Sequence, residues 1–205
     1  MWETGVVSVQ TTASAARSNP ESLTLIEPTL DLAADYRAMA REYLAVGSAW
    51  ERARAEEALG DLPGFLRDLH DQAAGRSLPA AHVPSTTYWL VRDGRTILAR
   101  SNLRHCLTPH LLHEGGHIGY GVRPSERRKG YGRAVCAKTL ERARAMGFDR
   151  VLITCDEDNV ASARIIEACG GVLENTVISR ETRTPKRRYW VDLTGGVDPP
   201  AGQQR

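Results

Sequence analysis

The segment VRPSERRKGYGRA, residues 122–134, joins a predicted strand to a predicted helix. Residues 123–133 carry five basic side chains against one acid, Glu126, and Gly130 and Gly132 lie where the helix begins. The first N–H groups of an α-helix have no partner inside the helix, and glycines there leave the backbone open to a ligand. Exposed amides beside local positive charge predict a site for a pyrophosphate group.

This segment does not match the two common phosphate-binding motifs. The pattern G-x-x-x-x-G-K-[ST] is absent, and G-x-G-x-x-G lacks its third glycine because position 135 is Val135. From these residues alone, an ordinary basic turn between a strand and a helix stays open as an alternative.

The chain around the segment alternates between short strands and amphipathic helices. Before it, the pattern predicts a strand at 23–26, helices at 30–46 and from Pro63 onward, strands at 87–91 and 96–99 around an Asp93-Gly94 turn, and a strand at 117–122. After it, the pattern predicts a helix at 131–146, a strand at 151–155, a helix at 159–169, and strands at 172–178 and 188–193. Helices flanking a mixed sheet predict an α/β (α+β) fold.

The composition sets the limits of this domain. The 205 residues are 41% hydrophobic and 25% charged, which is typical of one ordinary domain. The net charge of +2 does not indicate a globally basic nucleic-acid binder. We expect a single domain over 21–195 with flexible tails at 1–20 and 196–205. No apolar stretch reaches the length of a membrane span, so we expect a cytoplasmic protein.

The residues RRKGYG, 127–132, resemble the [R/Q]-x-x-G-x-[G/A] signature of the GNAT superfamily, the acyl-CoA-dependent N-acyltransferases. The resemblance is dense over 117–175 and looser over 85–195, and it points to a subgroup of predicted acetyltransferases of unassigned substrate. It implies a mixed, mostly antiparallel sheet with helices on both faces, and acetyl-CoA as co-substrate without a metal. It also implies an amine acceptor, on a small molecule or a peptide, and allows a homodimer.

The same resemblance implies which residues hold acetyl-CoA. The strand before the loop, at Gly121 and Val122, would hold the pantetheine arm and the thioester carbonyl. Asn159 and Ser162, at the start of the next helix, would reach the pantetheine, although capping alone also explains Asn159. The loop would hold the pyrophosphate through Arg127, Arg128, Lys129, Gly130, Tyr131, Gly132, Arg133 and Ala134.

The catalytic positions implied by the resemblance depart from the family pattern. The usual base positions fall on Gly116 and Ile118, and the usual tyrosine acid falls on Ile166, none of which can transfer a proton. A shift of register presents His117 as the base, and the alternatives are Tyr120 and Glu114. Tyr120 or another phenol serves as the acid, or the thiolate leaves without a proton from the enzyme. The acceptor pocket is implied at Arg104, His105 and Tyr189.

Three other functions compete with N-acetyl transfer from acetyl-CoA to a primary amine. A non-catalytic CoA-binding or regulatory module would explain the missing catalytic positions. His113-Glu114-x-x-His117 matches H-E-x-x-H of zinc hydrolases, but Gly115 and Gly116 disfavour the helix that this motif needs. A basic run at 180–188 would suit a nucleic-acid binder, although such runs are more often solvated turns. We expect no metal and no nucleic acid.

Overall fold

Seven strands form one mixed sheet in the computed structural model of the chain, which describes residues 22–76, 78–79 and 82–195. The strands are β1 (Leu23–Ile26), β2 (Ser85–Arg92), β3 (Thr96–Arg104), β4 (Ile118–Val122), β5 (Arg150–Asp156), β6 (Gly171–Ile178) and β7 (Pro185–Asp192), in the order β1-β2-β3-β4-β5-β7-β6. All neighbouring pairs are antiparallel except β4 and β5. The predicted mixed α/β fold is therefore confirmed.

Five α-helices cover the sheet. They are α1 (Ala33–Val46), α2 (Ala49–Gly60), α3 (Leu62–Ala73), α4 (Tyr131–Ala145) and α5 (Val160–Ala168). Short 3-10 helices at Leu30–Leu32 and Pro124–Glu126 and a π-helical turn at Leu111–Gly115 complete the described elements. No helix in the described ranges is long and apolar enough to cross a membrane. The predicted tails at 1–20 and 196–205 lie outside the described residues.

Helix α2 is the one α-helix of the described residues that the sequence pattern did not predict. It buries only Ala55 and Ala58, so its apolar face is too narrow to stand out in a hydrophobic period. A capping box marks its start instead, because the Ser48 side chain accepts from the Glu51 backbone and the Glu51 carboxylate accepts from the Ser48 backbone.

The two faces of the sheet carry separate hydrophobic cores. On one face, α4 and α5 pack over residues that include Leu98, Ile118 and Ile153. On the other face, α1, α2 and α3 pack over Trp89 and other residues of β2 and β3. Successive residues of a strand face opposite sides of the sheet. Along β4, side chains therefore face the α4–α5 layer and the α1–α3 layer in turn.

Candidate active site

Strands β4 and β5 separate from each other soon after they meet. β4 pairs with β3 from Leu103↔Ile118 to Ala99↔Val122, but with β5 only at Ile118↔Ile153. The rest of β4 therefore has no strand on its β5 side. This opening leads from the middle of the sheet towards the N-terminus of α4.

The register of β3 and β4 identifies which amides face the opening. Arg123 N donates to Leu98 O, and Arg104 N donates to His117 O, which fixes the alternation of hydrogen-bonded pairs between them. The N–H groups of Tyr120 and Val122 consequently point away from β3, towards β5. The amide of Gly121 points to β3 instead and is not available to the opening. Gly121 therefore contributes only the space that a side chain would fill.

The backbone of the loop before α4 turns sharply at two residues that have a positive φ. Gly130 caps the helix with φ at +88°, and Arg128 also has a positive φ, of +63°. The amides of Gly132 and Arg133 have no acceptor in the described part of the chain, whereas Ala134 N donates to Gly130 O. Gly130 faces open space, since nothing lies within 4 Å of a Cβ built there. The geometry matches an anion cradle.

Gly132 also has a role in packing. A Cβ at this position would lie 2.7 Å from Ile165 Cδ1, so the glycine lets α4 and α5 pack closely rather than clearing space for an anion. Tyr131 also points inward, where it is buried and its hydroxyl accepts a hydrogen bond from Arg92.

Ion pairs reduce the charge that the loop offers to a ligand. Arg123 is buried and pairs with Asp35 and Glu42 of α1, at 3.0 and 2.7 Å. Lys129 pairs with Glu126 at 2.9 Å. Arg127, Arg128 and Arg133 are exposed and have no acidic partner among the residues that the structure describes. The positive charge available for an anion is therefore carried by these three arginines.

Asn159, Ser162 and Tyr120 form a hydrogen-bonded chain beside the opening. Asn159 caps α5 by accepting from Ser162 N, and the Ser162 hydroxyl lies 2.9 Å from the Tyr120 hydroxyl. Burial raises the pKa of Tyr120 well above its usual value. The phenol therefore holds its proton more tightly than an ordinary tyrosine, which does not favour Tyr120 as the base.

His117 is held inside the structure. Its Nδ1 accepts a hydrogen bond from Leu152 N, and its ring packs against Phe148 and Trp190. Burial, together with the Arg104 charge, lowers its pKa to about 4. The imidazole is thus neutral at pH 7 but has one nitrogen occupied, so the geometry favours a structural role over that of general base.

This environment makes stability depend on pH through His117. Between pH 6.5 and 4 the unfolded chain binds a proton that the folded imidazole does not, so stability is lost as the pH falls through that range. We expect the free energy of unfolding in urea to fall by about 2 kcal/mol between pH 7 and pH 5 because of this group. His117→Asn should remove that part of the slope, and His70→Asn, at an exposed position whose ring bonds to the backbone carbonyl of Pro28, is the control. An unchanged slope in His117→Asn would contradict the assignment.

Glu114 ties the π-helical turn to the turn after β6. Its carboxylate accepts from the Ser179 hydroxyl and from Arg180 N, and these bonds outweigh burial to lower its pKa. Both oxygens are engaged and the side chain is buried, so the geometry does not favour Glu114 as the base.

The H-E-x-x-H residues do not converge on one point. His113 lies in the π-helical turn, and its Nε2 bonds to Ile178 O. Gly116 ends the turn with φ at +64°. No group of three His, Cys, Asp or Glu side chains suited to a metal ion occurs in the described ranges.

The three predicted acceptor residues do not line one groove. Arg104 donates to the carbonyls of Gly115 and Gly116, and His105 bonds to Thr86. Tyr189 is fully buried in the core, where its hydroxyl donates to Glu167 of α5. The geometry therefore gives all three side chains structural contacts and does not favour them as acceptor ligands.

The basic run at 180–188 is partly neutralised. Lys186 pairs with Asp156 at 2.6 Å, and Arg188 pairs with Glu174 at 2.8 Å. Paired cations have less charge to offer a polyanion, so the structure gives little support to a nucleic-acid surface here.

A polar cluster that the sequence analysis missed lies on the other face of β4. Tyr43 of α1, Glu51 of α2 and Arg100 of β3 each place a polar atom within 4 Å of a Cβ built on Gly121. The capping box at Ser48 was the available sequence signal, because it places Glu51 in the first turn of a helix.

The comparison with known families agrees with this geometry. Residues 12–172 match a family model described as an acetyltransferase (GNAT) domain. The chain belongs to the GNAT family. Membership confirms the expected fold and makes acetyl-CoA the co-substrate of this GNAT protein. None of the curated protein sequences matches this chain.

Solved structures share the fold at low sequence identity. The microcin C7 self-immunity acetyltransferase MccE, in complex with acetyl-CoA and AMP, is 17% identical with a TM-score of 0.62, over 85% of this chain and 93% of that one. RimJ of Mycobacterium smegmatis, in complex with CoA-disulfide, is 15% identical with a TM-score of 0.62, over 83% and 81%. A chimera of the spermidine N-acetyltransferase SpeG from Vibrio cholerae is 14% identical with a TM-score of 0.59, over 83% and 95%. At these identities the likeness is one of fold.

Proposed function

We propose that this GNAT protein transfers the acetyl group of acetyl-CoA to a primary amine of a small molecule or peptide, by direct attack of the amine. The observation that carries this proposal is the opening between β4 and β5, which runs from the Tyr120 and Val122 amides to the N-terminus of α4. A thioester bound along β4 would have these amides beside its carbonyl, where negative charge develops during attack.

The residues around the opening support separate tasks. The curled loop at 128–130 and the amides of Gly132 and Arg133 suit the pyrophosphate, with charge supplied by Arg127, Arg128 and Arg133. Asn159 and Ser162 lie where the pantetheine arm would pass. The protonated Tyr120 hydroxyl, which lies beside the opening, would be a hydrogen-bond donor to the departing thiolate.

An alkylamine with a pKa of about 10.4 is mostly protonated at neutral pH, so the site must also receive a proton. Neither His117 nor Glu114 is well placed for this, because hydrogen bonds already engage both side chains. The free oxygen of Glu51, on the opposite face of β4, is the better candidate.

Release of free thiol tests this function directly. We expect the purified protein to release CoA from acetyl-CoA when one member of a panel of primary amines is present, and mass spectrometry of the acceptor should show one added acetyl group. The panel should include amino acids, peptides with free N-termini, polyamines and aminoglycosides. Tight binding of acetyl-CoA with no thiol released for any amine would instead indicate a CoA-binding or regulatory module.

A further inference from the structure

Three polar groups on the α1–α2 side of β4 point at one position. A Cβ built on Gly121 would lie 3.4 Å from the Tyr43 hydroxyl, 3.6 Å from Glu51 Oε1 and 3.9 Å from Arg100 Nη2. Gly121 lies between Tyr120 and Val122, whose amides face the opening. The cluster is therefore next to the position where the thioester carbonyl is proposed to bind.

These groups have unused hydrogen-bonding capacity. The Tyr43 hydroxyl is buried and makes no well-formed hydrogen bond to the described residues, although the Arg100 guanidinium acts on it through its charge and through a poorly aligned side-chain contact. Glu51 Oε2 accepts from Ser48 N, which leaves Oε1 without a donor at hydrogen-bond distance. Glu51 Oε1 and Arg100 Nη2 are 3.7 Å apart, close enough to attract but too far to satisfy each other.

Buried polar groups without partners are uncommon because each costs about 1–3 kcal/mol. The Tyr43 hydroxyl is such a group, whereas the Glu51 and Arg100 side chains beside it are 19% and 21% exposed. A buried hydroxyl without a partner, next to two partly exposed charges and an open space, indicates that a ligand completes these hydrogen bonds. Such a space adjoins the cluster, since Gly119 is exposed and nothing lies within 4 Å of a Cβ built on it. Asn102, paired with Gly119 in the sheet, borders the same space.

Aromatic rings hold the Arg100 guanidinium in place. It lies 5.2 Å from the centre of the Tyr43 ring and 4.6 Å from that of Trp50. Stacking uses the faces of the guanidinium and leaves its edge available for a planar, oxygen-bearing partner. Trp50 is 60% exposed, so it forms the outer wall of the space.

The charges of the cluster select among amines. One carboxylate and one guanidinium side by side fit a ligand that carries an ammonium group next to a carbonyl or carboxylate oxygen. An α-amino group has both, whereas a polyamine would bring a second cation towards Arg100. We infer that the acceptor is an α-amino group of a peptide or amino acid, bound through its nitrogen by Glu51 and Tyr43 and through its oxygen by Arg100.

This inference rests on the proposed transfer to a primary amine, but binding tests it without turnover. The probe is the amidated tripeptide Ala-Ala-Ala with a free N-terminus, titrated into the protein–CoA complex in a calorimeter. Its N-acetylated counterpart and spermidine are the comparison ligands. We expect the free tripeptide to bind at least tenfold more tightly than either of them.

Matched variants then test the assigned side chains. Glu51→Gln should weaken tripeptide binding at least tenfold and leave acetyl-CoA affinity unchanged, while Glu56→Gln, the same change at an exposed position of α2, should alter neither. Tyr43→Phe removes the unpartnered hydroxyl, so it should weaken tripeptide binding without lowering the Tm. Where thiol release is measurable, KM for the tripeptide should rise in both variants, and kcat should also fall in Glu51→Gln because Glu51 is the proposed base.

The outcomes separate this inference from the proposed function. Tripeptide binding that depends on Glu51, with no thiol released, would support the α-amino site and count against the transferase activity. Thiol release with spermidine but no binding of the tripeptide would overturn the α-amino site and leave the transferase standing. Unchanged tripeptide affinity in both Glu51→Gln and Tyr43→Phe would also overturn it.

Discussion

Gly130→Glu should raise the dissociation constant for acetyl-CoA by about 30-fold, equivalent to roughly 2 kcal/mol. The new carboxylate would enter the open space in front of Gly130, where the loop backbone and the first turn of α4 face an anion. It would repel a pyrophosphate and satisfy the same amides itself. Isothermal titration with acetyl-CoA measures the change.

Gly147 provides a matched control at the other end of the same helix. It has φ at +85°, against +88° for Gly130, and a Cβ built on either glycine meets nothing within 4 Å. Gly147→Glu therefore carries the same backbone strain, about 1–2 kcal/mol in each variant, without touching the predicted anion site. Equal acetyl-CoA affinity in folded Gly130→Glu and Gly147→Glu would show that the loop is not the pyrophosphate site.

The sequence predicted the loop well because its signals are local. A strand, a basic turn and glycines before a helix are read from consecutive residues, and the structure places Gly130 in the left-handed conformation that such a turn requires. The individual roles were less predictable. Whether Gly132 faces an anion or a neighbouring helix depends on Ile165, which is 33 positions away in the chain.

The proposed acceptor site was not predicted from the sequence because its residues come from three separate elements. Tyr43 fits the apolar period of α1 like an ordinary core residue. The alternation of β3 gives no sign that Arg100 belongs to a site. Glu51 belongs to a helix without a clear hydrophobic period. Only the packing of α1 and α2 over β4 brings them to Gly121. The family pattern pointed instead to Gly116, just before β4, and to Ile118, the first residue of β4.

The charge counted over residues 123–133 also overestimates the positive charge that the loop offers to an anion. Arg123 lies inside the basic segment but turns away from it to pair with α1, because two carboxylates of that helix, on Asp35 and Glu42, meet its guanidinium. The residue that raised the apparent charge of the anion site is therefore a structural link between the loop and the first helical layer.

Arg123→Met should lower the free energy of unfolding by about 3 kcal/mol. The substitution removes the guanidinium that compensates the negative charges of two largely buried carboxylates, those of Asp35 and Glu42. The Arg123 side chain is 11% exposed, and the Asp35 and Glu42 side chains are 25% and 27% exposed. Methionine keeps the apolar stem but cannot donate to either carboxylate. Urea unfolding at pH 7 measures the difference.

Arg127→Met is the matched control for this change. It makes the same substitution in the same loop, at an exposed residue with no acidic partner among the described residues. We expect its free energy of unfolding to stay within about 0.5 kcal/mol of the unmodified protein. Because Arg127 is one of the three arginines proposed to attract the pyrophosphate, its acetyl-CoA affinity should fall while its stability does not.

The effect of Arg123→Met should also depend on pH. Burial raises the pKa of Glu42, but hydrogen bonds from the Ser125 backbone and from Arg123 outweigh it and hold the pKa below 4.5. A carboxyl group with a lowered pKa stabilises the fold above its unfolded pKa and loses that contribution as the pH falls through the folded value. The difference in unfolding free energy between the unmodified protein and Arg123→Met should therefore shrink below about pH 4.5. A difference that stayed constant from pH 7 to pH 3.5 would show that lost packing, and not the ion pairs, accounts for the destabilisation.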